Sequence, residues 1–171
     1  QVIPCICMGQ RAMSTERRPA ETPALAELLS GSCYCLATRR ASRRMVRLYD
    51  AALAERGLTI SQLAMLAWVK GLRTPTVQKI ADYMEMDQSA ASRGIKPLER
   101  DGLIASAPHP RDKRKSVLAL TEYGEARLAA GAAAWATAQR QVEAEMTPMG
   151  GLASFIGEVN ALAQKADETP G

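Results

Sequence analysis

TVQKIADYMEMDQSAASRGIKPLERDGLIASAPHPRDKRKSVLAL, running from Thr76 to Leu120, holds two short helical patterns, a tight turn and two strand-like runs in direct succession. Thr76 stands as a cap before Val77, Ile80, Ala81 and Met84, whose i, i+3, i+4, i+7 spacing turns them to one side of a helix. A few residues on, Asp87 caps a second helix that reaches Arg100. Its inward face is Ala91, Ile95 and Leu98, while Ser89, Ser92, Arg93 and Lys96 share the opposite face. Gly102 ends it. Leu103 to Ala107 and Ser116 to Leu120 read as short strands, and the stretch between them, Pro108 to Lys115, is too charged and proline-rich to be buried. The pattern is a helix-turn-helix followed by a β-hairpin with a basic tip.

On the N-terminal side, residues 1–24 carry Pro4, Pro19, Pro23, Arg17 and Arg18 with few apolar positions and read as a flexible leader, in which Met8 and Met13 are candidate starts. Ser32 to Arg56 is expected to be one long helix with an apolar stripe of Ala37, Ala41, Met45, Leu48 and Ala52, stopped by Gly57. Thr59 with Gln62 three residues on is a capping box, opening a helix with the stripe Leu63, Ala64, Ala67 and Val69. On the C-terminal side, Thr121 caps a long Ala-rich helix in which Leu128, Ala132, Trp135, Val142 and Met146 recur at near-heptad spacing. Thr147-Pro148 starts a last helix with Leu152, Phe155, Ile156, Val159, Leu162 and Ala163 on one face. These end helices carry more apolar surface than a small core needs, and a second subunit would bury it. The expected organisation is a leader over 1–24, an N-terminal dimerisation helix over 25–58, a winged helix-turn-helix over 59–120, C-terminal dimerisation helices over 121–166 and a tail over 167–171.

Composition narrows the function classes. The chain has 171 residues, 47% of them hydrophobic but only 4% aromatic, which suits helices packed through small aliphatic side chains: a mostly α fold with a small β-hairpin wing. A net charge of +4 suits a polyanionic partner without requiring one. Cys5/Cys7 and Cys33/Cys35 have no downstream Cys/His cluster to complete a zinc site, and the single histidine, His109, has no second member for a metal or relay site. No apolar run approaches the ~20 residues needed to span a bilayer. A cytoplasmic protein with reduced thiols is expected. A Gly-rich phosphate loop, a Ser/His/Asp set and a Cys/His set are all missing, so no catalytic residue, metal or cofactor is expected.

A recognition helix must keep its inner face on the core while presenting polar side chains to the major groove, with short ones near its N-terminus for close approach. Gln88, Ser89, Ser92, Arg93 and Lys96 meet that requirement: Gln suits adenine, Arg and Lys suit guanine, and Ser suits bases or phosphates. Arg111, Lys113, Arg114 and Lys115 are long cations at the hairpin tip, fitted to phosphates and a narrow minor groove. Any one of these features alone is the ordinary solvated face of a helix or hairpin, and their order is what points to DNA. A winged helix used as a protein-interaction module is the competing class, and it has no need of four cations at the tip.

The stretches Ile80-Ala-Asp-Tyr-Met84, Ser92-Arg-Gly-Ile-Lys-Pro-Leu-Glu-Arg-Asp-Gly-Leu-Ile104, Pro110-Arg-Asp-Lys-Arg114 and Leu120-Thr-Glu-Tyr-Gly124 resemble the MarR family of bacterial regulators, a likeness extending from about Gly31 to Gln164. The resemblance implies a six-helix homodimer with interlocked end helices, the fourth helix in the major groove and the wing in the minor groove of a pseudo-palindromic double-stranded operator. It also implies that Arg114 is the wing arginine and Asp112 its orienting partner. A repressor is expected. The sequence departs from the pattern at Ala105 and Ala107, where many relatives carry a basic residue, and at Pro97, which removes one helical N–H from the recognition helix near Lys96.

Two signals are open. Cys35 stands fourteen residues before Tyr49, a spacing that resembles the sensing cysteine and a tyrosine partner in OhrR-type hydroperoxide regulators, although the second tyrosine of that pattern is here Arg39. A thiolate there would oxidise to a sulfenic acid. The other signal is a small anionic or aromatic effector in the cleft between dimerisation helices and DNA-reading domain, with Arg39, Arg43 and Arg47 along one stripe as candidate anion ligands.

Overall fold

The computed structural model describes residues 25–29, 33–109, 112–147, 154 and 157–161, and the chain divides into two units, 1–43 and 44–171. The leader, Cys5, Cys7, the tail and most of the apolar face expected beyond Pro148 lie outside the described residues. In the first unit, residues 25–29 are helical, with Leu25, Leu28 and Leu29 exposed. Helix α1 spans Tyr34–Leu53, two residues later at its start than the sequence predicts, and Leu53 passes into a 3-10 turn, Ala54–Arg56. Gly57 then takes a left-handed φ of 59° and donates to the Ala54 carbonyl, which ends the helical run as expected of a glycine at this position.

The second unit is built around helix α2, Ile60–Gly71. Thr59 accepts from the Gln62 amide while the Gln62 side chain accepts from the Thr59 amide, so the capping box is present in both directions. The Asp50 carboxylate accepts from the Ile60 amide at 2.7 Å, a second cap that ties the end of α1 to the start of α2. Thr59→Ala is expected to cost about 1 kcal/mol, read as a lower urea midpoint at unchanged slope. A midpoint equal to that of the parent would show that Asp50 alone suffices.

The expected inward stripe of α2 needs correction. Leu63 and Val69 are buried, but so are Met65 and Leu66, whereas Ala67 is exposed and Ala64 half-buried. The helix is apolar almost all round, so periodicity had no polar face to orient it. Helix α3, Val77–Tyr83, and helix α4, Gln88–Arg100, form the helix-turn-helix, capped by Thr76 and Asp87. Between them Glu85 adopts a φ of 51°, a conformation that costs a side-chain-bearing residue about 1–2 kcal/mol and marks how tightly the chain reverses. The turn is held by the Met86 amide donating to Ala81 at 3.0 Å.

Strands β1, Ile104–His109, and β2, Asp112–Leu120, pair antiparallel from Ile104 with Leu120 to His109 with Asp112, with an irregularity between Pro108 and His109. Both run further toward the tip than expected. A two-stranded ribbon has only edges, the place in a sheet where a proline such as Pro108 is tolerated. The Leu118 amide donates to the Pro75 carbonyl at 2.8 Å and fastens β2 to the segment entering α3.

Helix α5, Glu122–Met146, returns across α2. Its buried positions are Gly124, Gly131, Ala138 and Val142, while Ala132 and Trp135 are exposed and Leu128 half-buried. The near-heptad stripe is therefore mostly not the core face. A Cβ at Gly131 would stand 2.7 Å from Leu63 Cδ1 and 3.0 Å from Leu58 Cδ1, so small residues let α5 approach the core closely. Leu53, Leu58, Leu66, Ile80, Ile95, Leu98, Leu103, Ile104 and Leu118 fill that core, joining α2, α3, α4 and the hairpin. Among the described residues no helix is long and apolar enough to cross a membrane.

Candidate nucleic-acid interface

Helix α4 separates its two faces as its sequence predicts. Ala91, Ile95 and Leu98 are buried, while Gln88, Ser89, Arg93 and Lys96 are exposed and Ser92 is half-buried. Pro97 lies inside the helix, which continues unbroken to Arg100, so Lys96 remains on the helical surface. The loss of one N–H near the C-terminal end is tolerated because Leu98 anchors the last turn in the core.

The start of α4 is a hydrogen-bonded chain that sequence reading did not find. Asp87 accepts from the Ala90 amide at 2.7 Å and from the Ser89 hydroxyl, and Arg93 Nη1 donates to Ser89 Oγ at 3.1 Å. Chiefly the Ser89 hydroxyl, and next the Ala90 amide, hold the Asp87 carboxyl below the usual carboxylate range. The i, i+4 spacing of Ser89 and Arg93 and the cap at Asp87 were the available signals. Lys79, which donates to Thr74 at 2.7 Å, adds an exposed cation on α3.

In the wing, the backbone of Asp112, Lys113, Arg114 and Lys115 forms the start of β2. Arg111 lies outside the described residues, as do the side chains of Asp112, Lys113, Arg114 and Lys115, and with them the expected pairing of Asp112 with Arg114.

Of the candidate signal residues, Cys35, Arg39 and Arg43 are exposed in the first unit, and Cys33 is half-buried. Tyr49, in the second unit, donates its hydroxyl to Gln139 on α5 at 2.5 Å, and Gln139 donates in turn to Glu143 at 2.9 Å. Partial burial, with a smaller contribution from Glu143, raises the Tyr49 pKa above that of a free tyrosine. The tyrosine is thus a link from α1 to α5. Between α2 and α5 runs an apolar groove of about 420 Å³ lined by Ile60, Leu63, Ala64, Trp68, Leu128 and Trp135 among others. Trp68 stacks on Tyr83 of α3 with ring centroids 4.4 Å apart. Among the described residues no group of three or more His, Cys, Asp or Glu is placed to hold a metal ion.

The model of the MarR family matches residues 58–116, from the residue after Gly57 to the middle of β2. An HTH-type transcriptional regulator of Bacillus subtilis, YdcH, is 33% identical over 89 residues, half of this chain and 60% of that protein. The organic hydroperoxide resistance transcriptional regulator of the same organism is 28% identical over 90 residues, 53% of this chain and 61% of that protein. The chain therefore spans somewhat under two thirds of the length of either relative. The M. tuberculosis transcriptional regulator MosR, solved in complex with DNA, is 28% identical with a TM-score of 0.70, covering 80% of this chain and 97% of that one.

Proposed function

We infer that this chain is a member of the MarR family, from the match of residues 58–116 and the likeness to MosR, and from that premise we propose that it is a DNA-binding transcriptional regulator, not an enzyme, acting in the cytoplasm as a homodimer on a pseudo-palindromic operator. The observation that carries the reading is α4: a helix anchored by Ala91, Ile95 and Leu98 that presents Gln88, Ser92, Arg93 and Lys96 outward, immediately followed by a hairpin. The DNA complex of MosR supports it, since that regulator shares this fold at 28% identity. Two such helices on one dimer would enter successive major grooves, and Lys113, Arg114 and Lys115 would reach phosphates or the adjacent minor groove. Homodimerisation is supported by Leu36, Val46, Leu48, Trp135 and Val159, each more than a third exposed. Repression is the mode we assign.

The α2/α5 groove is the natural seat for an effector. Its lining is apolar, which favours an aromatic over an anionic guest, with Arg39 and Arg43 as the alternative anion ligands on α1. A thiol signal through Cys35 is the second reading, favoured by the exposure of that cysteine and by the likeness to a regulator of hydroperoxide resistance.

The test is a gel-shift titration of the purified protein on its own upstream DNA at several salt concentrations, with Ser92→Ala and Arg114→Ala alongside. Each variant is expected to bind about 5- to 100-fold more weakly, and Arg114→Ala to flatten the salt dependence by about one phosphate contact. Release by peroxide in the parent but not in Cys35→Ser would select the thiol reading. Weak binding, indifferent to sequence and lost in modest salt, would sink the regulator assignment and favour a protein-interaction module.

A further inference from the structure

Building on the assignment of α4 as the DNA-reading helix, we propose that Ser89 is a positioning residue: it does not contact DNA as a donor but aims the Arg93 guanidinium, and Asp87 anchors it in that role. A serine hydroxyl has one proton to donate and two lone pairs. In Ser89 the proton goes to the Asp87 carboxylate and one lone pair accepts from Arg93 Nη1 at 3.1 Å. Only acceptor capacity remains. Phosphate oxygens and the major-groove edge of guanine offer acceptors as well, so Ser89 has nothing to give them unless it releases Asp87.

Asp87 is fixed in turn, because its carboxylate also caps the helix at the Ala90 amide, 2.7 Å away. The chain from Ala90 through Asp87 and Ser89 to Arg93 thus refers the guanidinium to the frame of α4 itself. Ser89 and Arg93, four residues apart, are neighbours on the exposed face. Arginine has five N–H donors in a planar fork, and the bond from Nη1 to Ser89 leaves the others available for a bidentate pairing with guanine or phosphate. Holding a long, rotamer-rich side chain in place before binding lowers the ordering cost at the interface. The arrangement also sets charge. An Asp at the head of a recognition helix repels phosphate, and the tether keeps an arginine beside it to offset that repulsion.

A double-mutant cycle decides the matter: Ser89→Ala, Arg93→Ala and the pair, titrated by fluorescence anisotropy on the upstream DNA and on its single-base variants, with the melting temperature of each protein recorded. Ser89→Ala is expected to weaken binding roughly three- to tenfold and to relax preference at the same base pair as Arg93→Ala. Added to Arg93→Ala it should change affinity by less than about twofold. Ser89→Thr, which keeps the hydroxyl, should restore both affinity and preference. Multiplicative losses in the pair, loss of preference at a different base pair, or a Ser89→Ala protein that binds like the parent each overturn the tether while leaving the DNA assignment standing. Parent protein that shows no sequence preference overturns both.

Discussion

Gly124→Ala is expected to destabilise the protein by about 3 kcal/mol or more, even though alanine is the better helix former by up to about 1 kcal/mol. The reason is the junction between wing and α5. A Cβ on Gly124 would stand 2.0 Å from the Leu103 carbonyl oxygen and 2.9 Å from its carbon, both backbone atoms that cannot swing aside. That carbonyl is already used: it accepts from the Thr121 amide at 3.1 Å, while the Thr121 hydroxyl donates to Gly102 at 2.7 Å and accepts from the Gly124 amide at 2.9 Å. One threonine therefore caps α5 and pins its first turn to the start of β1. To admit a methyl group the helix must move by about an ångström, and these hydrogen bonds go with it. The melting temperature should fall by about 6–12 °C. Gly71→Ala is the control, because a Cβ there meets nothing within 4 Å. Equal stability of the two variants would mean that the junction yields more easily than its geometry implies.

The stretch Leu120-Thr-Glu-Tyr-Gly124 also shows what sequence can convey. Thr121 was legible as a cap because a hydroxyl before a helical run has one evident use. Gly124 was not, since the reason for a glycine there is an atom of Leu103, twenty-one residues away and brought near only by the fold. The same division holds elsewhere. Helix α4 was read with the correct inner face because Ala91, Ile95 and Leu98 alternate with polar residues at a clear period. Helix α2 was misread in part because it is apolar almost all round and because α5 meets it through Gly131, which stands against Leu58 and Leu63, and small residues weigh little in any count of hydrophobicity. The hairpin was placed but shortened, since proline and charge were taken as ends of pairing that an isolated two-stranded ribbon does not enforce. At the candidate interface the residue types were legible and the bonds among them were not. Ser89 looked like a free donor until Asp87 and Arg93 were seen to occupy it.

Ile80→Ala should cost about 2–5 kcal/mol and reduce DNA binding by more than global unfolding alone explains. Helix α3 has seven residues, well below the length at which a helix holds together unaided. Its attachments are few: Ile80 and Ala81 are fully buried, Val77 packs partly buried against the core, Thr76 accepts from the Lys79 amide at 3.3 Å, and Tyr83 stacks on Trp68. Of these only Ile80 is a large and fully buried apolar side chain, in one core cluster with Leu66, Ile95 and Leu98. Truncating it leaves a cavity beneath both helices of the helix-turn-helix, whereas the α2/α5 contact and the Thr121 junction are untouched. Local opening of α3 then becomes cheaper than opening of the whole domain. Amide exchange is expected to accelerate first at Ile80, Met84 and Met86, whose amides close α3 and its turn. DNA binding should weaken under conditions where circular dichroism still reports a folded chain, since α3 holds the turn that orients α4. Uniform acceleration of exchange across α2, α3 and α5 would show instead that the domain opens only as a whole, and binding would then follow the folded fraction.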